Sequence, residues 1–266
     1  RLQTYVVGKE KNEKIIPIKL PDVEIDNVPL EVFKESRPYN EYCWALASTF
    51  CKYLLNNKDI PEILYVDSDI CFYQDPKPIF DAVDGSSIGI IRHRHNTSTS
   101  RDGEFNVGIV YFKNNKIGMS CLEWWCDCIL NHSRPELSTC GDQKYLEEFI
   151  PMYGDNEVAI IDKDIAYGAP WNFRLYVYDN FYSNRTIIWG DKEQPLLFNH
   201  FSRISVNYDT GEVNPTSGQY ADHTLEFQVF NIPVVKAFYA HYVKHLEKAI
   251  NLQKDFEDSG SKDIKQ

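Results

Sequence analysis

Apolar and polar residues run along this chain in short blocks, and the blocks predict strands alternating with helices. Gln3-Thr4-Tyr5-Val6-Val7-Gly8 reads as a short strand ending at a glycine, and Ile15-Ile16-Pro17-Ile18 follows after a charged turn. Leu20 to Glu35 is acidic with scattered apolar residues and predicts loop plus a short helix. From Glu41 to about Asn56, Cys43, Trp44, Ala47, Phe50, Cys51, Leu54 and Leu55 recur three and four apart, the stripe of an amphipathic helix that Asn40 is placed to cap. Ile63-Leu64-Tyr65-Val66 is too short for a helix core and predicts a buried strand. Strands are also predicted over 87–91, 105–113, 157–161 and 195–201. Ile117 to Leu130 carries Met119, Leu122, Trp125 and Ile129 along one helical stripe, and a second helix is predicted from Gly141 to Phe149. From about His223 the pattern is helical, with Pro233 expected to interrupt it, and Asp255 to Gln266 is charged and expected to be disordered. Alternation of this kind predicts an α/β fold.

Composition sharpens this. The 266 residues are 43% hydrophobic and 14% aromatic, enough for one large α/β domain or for one domain with an appendage. The expected division is a catalytic domain over 1–222, a helical extension over 223–254 and a tail over 255–266. A net charge of −11 argues against a nucleic-acid partner and gives no general attraction to anionic membranes. A phosphate-bearing ligand must then be held by a local metal or a few bases. The seven cysteines contain no C-x-x-C pair, which predicts a reducing compartment without a disulfide framework or zinc site. No signal peptide and no run of about 18 apolar residues is evident, so the expectation is a protein without a transmembrane segment, cytoplasmic, either free or peripheral at the inner membrane face.

Candidate chemistry begins where the strand at Ile63–Val66 runs into Asp67-Ser68-Asp69. Side chains two apart on a strand point to one side, so the two carboxylates can converge beyond its carboxyl end, where open α/β sheets bind ligands. Two convergent carboxylates suit Mn²⁺ or Mg²⁺. The competing readings are a solvated turn and an aspartate-based phosphatase of haloacid-dehalogenase type. An EF-hand is excluded, because Cys71 and Phe72 stand where a ligand and a glycine are needed. The phosphatase expects a later Gly-Asp-x-x-x-Asp, which Gly141-Asp142, Gly154-Asp155 and Gly190-Asp191 all fail to complete. Arg92-His93-Arg94-His95 offers either a diphosphate grip or a solvated loop. Gly108, inside its strand, marks close approach of a ligand or another backbone. His200, on an apolar strand, is either a core residue or a third metal ligand. Trp171 offers a flat wall to a sugar ring or fills a core.

Five pieces in order, Leu64-Tyr65-Val66-Asp67-Ser68-Asp69, Phe105-Asn106-Val107-Gly108-Ile109-Val110, Gly141-Asp142-Gln143, Trp171-Asn172 and Phe198-Asn199-His200-Phe201, resemble the GT-A glycosyltransferases of the glycogenin and lipopolysaccharide galactosyltransferase type. The resemblance implies a Rossmann-like mixed, mostly parallel sheet flanked by helices with a C-terminal helical extension. It implies Mn²⁺ or Mg²⁺ on Asp67, Asp69 and His200, and donor contacts from Asp67, Ser68, Asp69, Asn106, Gly108, Trp171, Asn172 and Arg203. Asp142 and Gln143 would lie beside the reacting carbon. The implied reaction moves a hexose from a nucleotide-diphosphate sugar, UDP-linked, to a glycan or lipid-linked acceptor with retention of configuration. A homo-oligomer is left open. The pattern departs in two places. The family's donor-touching arginine has no counterpart in Tyr42-Cys43-Trp44-Ala45, and a first βα unit is expected to be missing ahead of Arg1. A sugar-nucleotide or carbohydrate-binding module without activity is therefore the non-enzyme alternative.

Overall fold

The computed structural model describes residues 4–7, 15–18, 23, 35, 37–95, 103–163, 165–177, 186–202, 204–207, 210, 213–214 and 233–260. It divides into two compact units, Arg1–Val66 with Phe80–His93 and Thr99–Ile161, and Asp67–Ile79 with Arg94–Ser98 and Asp162–Gln266. The fold is α/β with mixed sheets flanked by helices.

The first unit opens with a parallel pair, β1 (Thr4–Val7) and β2 (Ile15–Ile18). Helix α1 (Tyr39–Asn57) follows. The main sheet holds β3 (Glu62–Val66), β5 (Ile88–Arg92), β6 (Phe105–Lys113) and β7 (Val158–Ile160) in the order β3-β6-β5-β7. Eight of the nine β6 residues are buried, which accounts for its nearly unbroken apolar run. Helix α3 (Lys116–Asn131) packs on α1, and Trp125 sits at 0% exposure among Phe112 and Phe149. Asn115 caps α3, its side chain accepting from the Gly118 N–H at 2.9 Å. Helix α1 starts one residue ahead of Asn40, which lies inside it and caps nothing; Pro38 stands at the N-cap instead.

The second unit is organised on β10 (Lys192–His200), which pairs antiparallel with β4 (Ile70–Phe72) and β9 (Thr186–Trp189) and parallel with β8 (Ala166–Gly168). A short pair, β11 (Ser205–Val206) and β12 (Val213–Asn214), follows. Among the described residues, short helix α2 (Lys77–Ala82) begins in this unit, short helix α4 (Phe149–Tyr153) lies in the first unit, and α5 (Pro233–Gly260) lies in the second.

Two expectations are corrected. The sheets are not mostly parallel: the central strand β6 runs antiparallel to both neighbours, and β10 to two of its three. Pro233 is the first residue described in α5, where its missing N–H costs nothing, and the stretch from 223 expected to be helical ahead of it lies outside the described residues. The helix continues to Gly260, so the first residues of the expected tail are helical. In α5, Val235, Phe238, Tyr239 and Tyr242 are buried in one core with Phe173, Leu196 and Phe201. Among the described residues no helix is long and apolar enough to cross a membrane. Most of Leu20–Glu35, 223–232 and 261–266 lies outside the described residues.

Candidate functional site

The second unit begins at the acidic pair. Asp67 to Ile70 form a turn closed by the Ile70 N–H on the Asp67 carbonyl at 3.2 Å. The two acids converge through this turn, and not through the alternation of one straight strand. The chain then reverses into β4, and the register of β4 on β10 pairs Ile70 with His200. The Phe201 N–H donates to the Asp69 carbonyl at 2.8 Å, continuing that pairing. Strand pairing therefore delivers a histidine from more than a hundred residues away to the acidic turn.

The His200 Nε2 lies 3.0 Å from Asp69 Oδ1 and 3.8 Å from Asp67 Oδ2. One ligand atom from each residue falls within 4.8 Å of the other two, the only such three-residue cluster among the described residues. The side chains of Asp67 and Asp69 are 32% and 36% exposed, and that of His200 only 7%. The cluster is thus open on its carboxylate side and closed behind the imidazole, where Trp171 packs its ring edge-on at 5.2 Å. Burial opposes the charged imidazole, but the hydrogen bond and charge of Asp69, with the charge of Asp67, outweigh it and hold the His200 pKa above its ordinary value. Two hard oxygens and one imidazole, converging with an open side, fit Mn²⁺ or Mg²⁺.

Helix α5 braces the turn. Tyr242 stacks on Phe201 with centroids 4.0 Å apart, and its hydroxyl donates to the Ser68 carbonyl at 3.5 Å. Burial first, then Asp69 and Cys71, push its phenol up to about 12, so it stays a donor. Tyr242 was not anticipated from sequence, although Phe238, Tyr239 and Tyr242 at helical spacing were visible as an aromatic stripe.

Trp171 belongs to this unit, and so does Asn172, which is fully buried. The Asn172 Oδ1 accepts from the Ala169 N–H at 2.8 Å, so the side chain braces the turn that presents Trp171. Neighbouring Gly168 lets Asn199 pack close, since a Cβ there would meet the Asn199 Oδ1 at 2.3 Å. Arg203 lies outside the described residues.

The first unit holds the other predicted residues. Asn106 donates from Nδ2 to the His93 Nε2 at 3.1 Å and to the Gln143 Oε1 at 3.4 Å, and accepts at Oδ1 from the Gly108 N–H at 2.8 Å. The His93 Nδ1 stands 3.1 Å from the Gly103 carbonyl. A carbonyl only accepts, so Nδ1 carries the proton and Nε2 is the bare acceptor that orients the Asn106 amide. Gly108 thus serves through its N–H. Asp142 is 8% exposed, and its carbonyl takes the Trp125 indole N–H at 3.0 Å. Gly141, just before it, has φ +66°, and a Cβ there would sit 2.5 Å from the Trp44 ring, so only glycine turns the chain here. The residues after Gln143 form a 3₁₀ turn over Lys144–Glu148 ahead of α4, and not one continuous helix.

The cationic stretch breaks up. Arg92 pairs with Glu104 at 2.8 Å in the first unit. Arg94 is buried in the second: Nε donates to Asp162 Oδ2 at 2.8 Å, the other nitrogens to the Asp162 and Ile165 carbonyls and the Tyr176 hydroxyl, and the Trp189 ring lies 3.7 Å from its Cζ. His95 faces Trp171 at 6.4 Å. Both arginines thus pair with protein acids, Arg94 in a buried pair and Arg92 in an exposed one.

No family model matches the chain. It is similar to two Bacillus subtilis (strain 168) proteins, both described as uncharacterized. YfnF is 26% identical over 271 residues, covering 96% of this chain and 83% of that protein. YfnD is 26% identical over 245 residues, covering 88% of this chain and 74% of that protein.

Proposed function

We propose that this chain is a metal-dependent glycosyltransferase of GT-A type that moves a hexose from a nucleotide-diphosphate sugar, UDP-linked, to a glycan or lipid-linked acceptor. The observation that carries the reading is the cluster of Asp67, Asp69 and His200, with the His200 Nε2 3.0 Å from Asp69 Oδ1 and both carboxylates half open. Mn²⁺ or Mg²⁺ held there would neutralise charge on a departing diphosphate, the main electrostatic demand of such a transfer. Asp67 and Asp69 supply the hard oxygens. His200, walled by Trp171, supplies the nitrogen and, once neutral, a fixed lone pair. Tyr242 holds the Ser68 carbonyl and so keeps the acidic turn in shape. The resemblance gives Asn106, Asp142 and Gln143 the orientation of the sugar. The His93 tautomer supports a fixed amide at Asn106 for that task.

The test is release of UDP from UDP-glucose, UDP-galactose and UDP-N-acetylglucosamine, with Mn²⁺ and with EDTA. The expected result is Mn²⁺-dependent release from one donor, abolished by Asp69→Asn and by His200→Ala. Binding of a donor without release in any acceptor mixture supports the inactive binding module. A trapped aspartyl-phosphate on Asp67 supports the phosphatase and overturns the proposal.

A further inference from the structure

Helix α5 carries a second pair of ligating side chains, away from the acidic turn. His241 and His245 are four residues apart, so they share one face of the helix. Both are exposed, and Tyr242 between them is buried, which sets the pair on the solvent side of the helix. Their Nε2 atoms are 3.4 Å apart and their ring centroids 4.6 Å. A metal bound by two imidazoles at about 2.0–2.1 Å each spans roughly 3.0 Å between nitrogens at a right angle and roughly 3.4 Å at the tetrahedral angle. The observed separation is the tetrahedral bite. For a hydrogen bond between two ring nitrogens 3.4 Å is long.

We propose that His241 and His245 form a two-histidine site for a borderline divalent ion of the Zn²⁺, Ni²⁺ or Cu²⁺ class, chemically separate from the Asp67–Asp69–His200 cluster. The donor sets divide the ions. Paired imidazoles favour Ni²⁺, Cu²⁺ and Zn²⁺, whereas hard oxygens favour Mn²⁺ and Mg²⁺. Both histidines bind as neutral rings, so any proton shared between the two Nε2 atoms leaves to solvent as the ion enters. The two imidazoles fill two positions of a tetrahedral shell, leaving the others to water or further ligands. An ion here clamps the helical turn that presents Tyr242 to Phe201 and to the Ser68 carbonyl. It binds only the folded helix and therefore stabilises it by mass action. This inference does not rest on the transferase reading.

The experiment titrates Ni²⁺ into the full chain carrying Asp69→Asn, which removes the acidic cluster as a competing site, and compares it with the same chain carrying His241→Gln or His245→Gln in addition. Because both histidines are exposed, the variants are expected to fold, and their melting curves without metal check this. The expected result is one Ni²⁺ per chain, a rise in melting temperature on binding, and a loss of affinity of about tenfold or more with either histidine replaced. Mn²⁺ at the same concentration gives no such response. The proposal is overturned if the Asp69→Asn chain binds no Ni²⁺, or if its Ni²⁺ affinity is unchanged by both histidine replacements. Neither outcome bears on UDP release, so the two readings fail separately.

Discussion

Two charged clusters in the second unit are built from the same kinds of side chain and end in opposite states. Arg94 and Asp162 form a buried pair, 3% and 2% exposed, in which the guanidinium also meets two carbonyls, a phenol and an indole ring. Every partner there is protein, and the product is a fixed loop, with Arg94 held at φ +54°. Asp67, Asp69 and His200 instead bring two acids together with one imidazole and leave the acids facing water. Two like charges side by side oppose folding, and one neighbouring imidazole offsets them only while it is protonated. The difference teaches that a cluster's use is read from which of its atoms stay open to solvent. The first cluster is sealed by protein. The second keeps both carboxylates open, the side on which the proposed cation would sit.

Removing one member of the sealed cluster separates the two most sharply. Arg94→Met leaves the Asp162 carboxylate buried without its partner and should cost about 3–5 kcal/mol of stability in denaturant titration. Mn²⁺ affinity of the folded fraction should change little. An equal loss of both would mean that the clusters act as one.

The next effect carries the comparison into the first unit, where His93 is a neutral acceptor within a satisfied network. His93→Leu strands one Asn106 N–H and should cost about 1–3 kcal/mol. Long-range nitrogen–proton correlation spectra of the unaltered chain should place the His93 proton on Nδ1. A proton on Nε2 would contradict the assigned tautomer.

The smallest effect is a pH dependence. The folded pKa of His200 is raised, so its pairing with Asp69 contributes stability that is fully present below the ordinary imidazole value of about 6.5 and is lost as pH rises through the raised value. Metal binding requires the neutral ring. Mn²⁺ affinity should therefore climb with pH, by up to about tenfold per unit, and level off above the His200 pKa. His200→Gln should flatten the climb. A slope that survives the replacement would assign the proton elsewhere.

How far the sequence disclosed this arrangement depended on whether the signal was local. The run Ile63–Val66 ending in two acids was visible because apolar content and abrupt polarity sit within seven residues. Strand β4 was not, since Ile70-Cys71-Phe72 is three residues long and indistinguishable from a turn, and it is β4 that sets His200 opposite Ile70. The fate of Arg94 was hidden for a related reason. Its partner Asp162 is 68 residues away, and a run of basic residues looks the same whether it ends in solvent or inside. Strand direction is likewise not encoded in an apolar run, so the resemblance suggested a parallel majority that β6 and β10 do not keep. The last turns of α5 read from sequence as a disordered tail, because charged residues are compatible with both states.

The most direct measurement of the central claim is the melting temperature with UDP, with and without Mn²⁺, in the unaltered chain and in Asp69→Asn. A ligand at 100 times its dissociation constant adds about 2.7 kcal/mol, a shift of several degrees. The account predicts stabilisation by UDP only when Mn²⁺ is present, and none in Asp69→Asn. Stabilisation by UDP that persists without Mn²⁺ and in Asp69→Asn would contradict it, and so would a curve that UDP and Mn²⁺ together leave unmoved.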